Sequence, residues 1–186
     1  VNHWQQNIGG GADKNSTNYT LFDTEDLYAE TDTSVKPAVK TYEGFTSPSA
    51  VTINVDGDGS AVVNYYYERQ SFTVALSKGT GISAVSGSGT YQYGEEVTIN
   101  ATVNPGYNWV NWSGTHTFTS KQYTFNMPAT NITVTANASA GNSLYTVNHY
   151  WEKVDGSGYE LKESQPLYGT ADTSVTPEVN TYPGFT

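Results

Sequence analysis

The chain has 186 residues, with 18 Asp and Glu against 8 Lys and Arg, a formal net charge of −10 and no cysteine. That charge argues against gripping DNA or RNA through phosphates, which needs clustered Lys and Arg. The lack of cysteine excludes disulfides, Cys-based zinc sites and thiol nucleophiles. With Tyr 15, Phe 6, Trp 4 and only 14% charged residues, the composition is that of β-rich modules rather than of a disordered tail.

An internal repeat organises the chain. Residues 27–46, LYAETDTSVKPAVKTYEGFT, match residues 167–186, LYGTADTSVTPEVNTYPGFT, at thirteen of 20 positions. The openings also correspond, Val1-Asn2-His3-Trp4 with Val147-Asn148-His149-Tyr150. The offset is 146 for the openings and 140 for the later blocks, so a turn six residues longer is expected in the first copy. Three blocks follow, 1–70, 71–141 and 142–186. Val1 opens on strand-like sequence, as in a segment of something longer, and the third block reads as a partial copy of the first, without its C-terminal hairpin. No signal peptide or lipidation motif is visible, and no run of 18 apolar residues reads as a membrane span.

In chain order, residues 1–6 alternate as a strand and 19–28 form a second. Asp32-Thr33-Ser34 offers an N-cap for a single helical turn over Val35–Val39, with Pro37 near its start. Val51, Ile53 and Val55, a turn at Asp56-Gly57-Asp58-Gly59, and Ala61, Val63, Tyr65 and Tyr67 read as a hairpin with one buried face. Tyr66 points the other way. In the middle block, Val97, Ile99, Ala101 and Val103 alternate, and Asn104-Pro105-Gly106 turns the chain. Tyr107–Trp112 forms an aromatic strand. Tyr123, Phe125 and Met127 alternate up to Pro128, and Ile132, Val134 and Ala136 make the last strand. Its expected core is Val97, Ile99, Val103, Tyr107, Trp112, Phe125, Ile132 and Val134. The fold class is mainly β, α+β at most.

Little points to catalysis. Asp56-Gly57-Asp58-Gly59-Ser60 has part of a calcium loop, but the twelfth position falls on Tyr67 where a Glu is required, so a hairpin turn is favoured and no metal site is expected. His3 and His149 are repeat-equivalent and read as structural. His116 lies in a loop. No nucleophile, P-loop or zinc motif occurs, and no two of the acidic residues stand out as a glycosidase pair. No cofactor is expected. The candidate ligand residues are aromatic: Trp4, Tyr66, Trp109 and Trp151. Such rings stack on sugars, but they also pack across strands.

Block one, with Tyr42-Glu43-Gly44-Phe45, the DGDGS turn and Val63-Asn64-Tyr65-Tyr66-Tyr67, resembles the MucBP-type (mucin-binding protein) repeats of bacterial surface proteins. Block three matches their first half. Block two, with Gly87-Ser88-Gly89-Thr90-Tyr91, Tyr93-Gly94-Glu95-Glu96-Val97-Thr98, Asn104-Pro105-Gly106-Tyr107, Trp112-Ser113-Gly114 and Asn126-Met127-Pro128-Ala129, resembles the divergent InlB B-repeat (internalin-type) of Gram-positive surface proteins. The resemblance implies small β-grasp-like modules in tandem, elongated, on a secreted protein attached to the cell wall or surface through regions outside this segment. It implies a non-catalytic adhesin stalk or spacer, with a glycan- or mucin-binding module as the alternative. Its partners would be host or environmental glycoproteins or glycans, with no nucleic acid and no membrane insertion. Self-association through the incomplete third block, by strand completion in trans, is a further expectation.

Overall fold

The structure, a computed structural model, describes residues 1–185; Thr186, the last residue of the third block, lies outside them. Among the described residues the chain is all β, with fifteen strands and no helix. Contacts divide it into two compact units, one of residues 1–76, 86–100 and 122–134, the other of 77–85, 101–121 and 135–186.

The first block supplies β1 (Asn2–Gln6), β2 (Tyr19–Thr24), β3 (Ser34–Val35), β4 (Phe45–Thr46), β5 (Ile53–Asn54) and β6 (Asn64–Arg69). Four of them form a sheet in the order β2-β1-β6-β4, and β3 pairs with β5. β1 lies antiparallel to β2 and parallel to β6. One face of β6 is buried, with Tyr65 and Tyr67 joined by Val63 and Phe45 in a core onto which Val1, Val39, Tyr42, Ile53 and Tyr93 pack. The alternation of apolar residues across the strand period produces this division, as expected for Val63, Tyr65 and Tyr67.

Three expectations for this block are corrected. The second strand stops at Thr24 rather than reaching Tyr28, whose ring is exposed. The helical turn at 35–39 does not form. Asp32 instead takes a left-handed backbone, φ 59°, with its N–H on the Val55 carbonyl at 2.9 Å, which brings Ser34–Val35 alongside Ile53–Asn54. The expected 51–67 hairpin is likewise absent, because β5 goes to β3 while β6 inserts between β1 and β4. A local alternation does not say which strand is the partner, and the long-range pairing prevails.

The middle block comprises β7 (Ser71–Lys78), β8 (Ile82–Ser86), β9 (Gly89–Gln92), β10 (Glu96–Val103), β11 (Tyr107–Gly114), β12 (Gln122–Asn126) and β13 (Ile132–Ala140). They form a three-stranded sheet, β12-β10-β8, and a four-stranded one, β11-β13-β7-β9. The strands over 71–92 were not among those expected. Val97, Ile99, Trp112, Ile132 and Val134 are buried as expected, together with Met127 and Ala136. Val103, Tyr107 and Phe125 are only half-buried. Val103 ends its strand, Tyr107 carries its hydroxyl out to Asp172, and Phe125 sits on β12 at the margin of its sheet.

The third block is a hairpin of β14 (Asn142–Glu152) and β15 (Tyr159–Thr170). It meets the middle block at the turn before β11: the Ala171 N–H donates to the Gly141 carbonyl at 2.8 Å, and the Tyr107 hydroxyl donates to the Asp172 carboxylate.

Candidate functional site

The two outer copies share their register residue for residue. In the first, Asn2, His3, Trp4, Gln5 and Gln6 lie opposite Thr24, Asp23, Leu21, Thr20 and Tyr19, with a bulge between His3 and Trp4. In the third, Asn148, His149, Tyr150, Trp151 and Glu152 lie opposite Ser164, Glu163, Leu161, Glu160 and Tyr159, with a bulge between His149 and Tyr150. A bulge places two residues against one and re-aims the following side chain. Here the extra residue is Phe22 on β2 and its counterpart Lys162 on β15, so the two copies share the irregularity at one position. The loop of six extra residues lies wholly between these matched strands.

His3 is fully buried. Its Nδ1 lies 2.9 Å from the Tyr67 hydroxyl and its Nε2 lies 3.3 Å from Glu25 Oε2. Glu25 also meets Lys40 Nζ at 2.6 Å, and Lys40 reaches Asp23 at 2.7 Å. The Lys40 hydrogen bond holds both carboxyls below their ordinary range, while the two carboxylates raise the Lys40 ammonium. The third copy repeats part of the arrangement, with an amide in place of the lysine. Asn180, the counterpart of Lys40, donates to Glu163, the counterpart of Asp23, at 2.9 Å. The ring pair His3–Tyr42, centroids 6.1 Å apart, becomes His149–Tyr182 at 5.9 Å. With both ring nitrogens engaged and no exposed surface, His3 serves to hold β1, β6 and the 25–42 segment together.

The aromatic candidates divide. Trp4 and Tyr66 come together as neighbours on β1 and β6, their rings stacked at 6.0 Å. Trp4 Nε1 donates to Asn64 Oδ1, which also accepts from Asn2. Tyr19 meets the Tyr66 ring edge-on and Lys14 Nζ lies 5.2 Å from both tyrosine rings. This half-buried group, with Asn, Lys and aromatic faces, is what a sugar would need. Trp109 is half-buried, edge-on to Trp112, its Nε1 spent on the Thr119 carbonyl. Trp151 is the counterpart of Gln5, not of Trp4, and lies on the histidine face against Tyr182 and Phe185 with Lys162 Nζ over its ring. The offset of 146 between the two openings already implies this correspondence. Asp58 of the DGDGS turn accepts from the Ser60 N–H, as Asp155 does from Ser157. Among the described residues no three His, Asp or Glu side chains gather into a metal-holding group.

Residues 72–141 match the divergent InlB B-repeat domain family. That family is a bacterial surface-protein repeat. No curated protein and no solved structure matches the chain. Within the InlB B-repeat segment, the Trp-Ser-Gly and Met-Pro elements coincide with buried anchors, Trp112 on β11 and Met127 after β12. Trp112 Nε1 donates to the Lys121 carbonyl at 3.2 Å, which satisfies a polar atom that burial would otherwise strand. Among the described residues no helix is long and apolar enough to cross a membrane.

Proposed function

We propose that the chain is a non-catalytic extracellular segment of a bacterial surface protein, acting as stalk or spacer, with outer repeats of MucBP type around the InlB B-repeat. The observation that carries this reading is the shared register of β1–β2 and β14–β15, bulge included. Repetition of a scaffold, with variation confined to one loop, is what tandem surface arrays use. The histidines and most of the candidate aromatics are spent on intrachain packing, which supports a structural role.

A second reading, a glycan- or mucin-binding module, draws on the Trp4–Tyr66 pair beside Asn2 and Asn64. A glycan array and a mucin-coated surface probed with the intact chain separate the two. The spacer reading expects background signal, unchanged by Trp4→Ala. A saturable signal that Trp4→Ala abolishes would transfer the assignment to glycan binding.

A further inference from the structure

Lys14 belongs to the long loop that joins β1 to β2. Its Nζ stands 5.2 Å from the ring centroids of both Tyr19 and Tyr66, and 3.7 Å from Glu68 Oε1. The two rings meet edge to face, 82° apart with centroids at 5.1 Å, and so wall a corner. Both walls are fixed, because Tyr19 is 1% exposed and Tyr66 stacks on Trp4. Aromatic faces attract a cation in such a corner, and the carboxylate adds to the pull. The loop does not need the Lys14 side chain for its own shape. The Gly10 N–H donates to the Asn7 carbonyl at 2.9 Å, the Gly11 N–H to Asn18 Oδ1 at 3.0 Å, and Asn18 Nδ2 to the Asp13 carbonyl at 3.0 Å. Lys14 and Glu68 are both well exposed, and exposed ion pairs hold little. The ammonium is therefore lightly held in a corner that the sheet builds without it.

We propose that the corner of Tyr19, Tyr66 and Glu68 is a binding site for a methylated ammonium cation, and that Lys14 fills it in cis until the ligand displaces it. A primary ammonium is compact and strongly hydrated, so it gives up much hydration to enter a corner walled by rings. A methylated one is weakly hydrated and lays a larger surface on the same faces, the chemistry by which aromatic cages select it. The excess of 18 Asp and Glu over 8 Lys and Arg draws cations and repels anions. The assignment is independent of the spacer and glycan readings.

The test is a titration of the intact chain with tetramethylammonium chloride, read from the magnetic resonance shifts of the Tyr19, Tyr66 and Glu68 amides, against sodium chloride at equal ionic strength. Saturable shifts with a dissociation constant of roughly millimolar order are expected. Lys14→Ala removes the internal competitor and should tighten binding about three- to tenfold. Glu68→Gln, added to the Lys14→Ala chain, should weaken it about two- to fivefold, as for one exposed charge. Tert-butanol, neutral and of similar size, should give no saturable shift. No saturation in the Lys14→Ala chain, equal shifts with tert-butanol, indifference to Glu68→Gln, or equal affinity of the wild-type and Lys14→Ala chains would each overturn the proposal.

Discussion

Lys40 is the one cation of the buried-edge cluster in the first copy, and its two carboxylates set a pH window. Asp23 and Glu25 have depressed folded-state values, so the stability they contribute is present above the ordinary carboxylate range and is lost as pH falls through the lowered values. Lys40 is raised, so its contribution is complete below the ordinary lysine value and is lost as pH rises through the raised one. The cluster therefore stabilises fully between about pH 5 and about pH 10. Urea denaturation at stepped pH should show an acid loss that Lys40→Met flattens. The glycine of the repeated Tyr-x-Gly-Phe motif gives a second test. Gly44 and Gly184 both have positive φ, 76° and 87°, where a side chain costs roughly 1–2 kcal/mol. A Cβ on Gly44 would also collide with the Tyr93 ring, whereas one on Gly184 meets nothing. Thermal unfolding should thus show Gly44→Ala far more damaging than Gly184→Ala.

Trp112 anchors β11, and its removal would leave a large void. Trp112→Ala should cost about 3–5 kcal/mol, most of what a module of this size holds in reserve. Loss of the cooperative melting transition of the InlB B-repeat segment is the expected result; wild-type melting would make Trp112 dispensable. Strands such as β10 and β13 were legible because one face is buried and the alternation is strict. The same alternation over 51–67 revealed the buried face of β6 but not its partners. Pairing is decided by what lies opposite, and β1, some sixty residues earlier in sequence, lies opposite β6. The short β3 carried the marks of a helix cap, and only the left-handed turn at Asp32 shows why they do not operate. Of the aromatic candidates, Trp4 and Tyr66 could be joined only once β1 and β6 were known to be neighbours.

Protection should vary along the chain with burial. β10 and β13 carry Val97, Ile99, Ala101, Ile132, Val134 and Ala136, all buried, whereas β14 alternates between half-buried and exposed residues and β15 is exposed over its first six residues before it alternates. Local opening follows such differences. Hydrogen exchange should therefore exhaust β14–β15 amides while β10 and β13 still hold theirs.

The parallel pairing of β1 with β6 has a mechanical consequence. These are the first and last strands of block one, side by side and pointing the same way. Tension entering at Val1 and leaving beyond Arg69 pulls the two strands past each other along their length. The backbone bonds that join them are then strained together, in shear, and cannot peel apart one at a time. Rupture needs the whole set to fail at once, so the block resists stretching through the rate of forced unfolding. A hairpin pulled from its two open ends, as β14 and β15 would be, separates bond by bond like a zip.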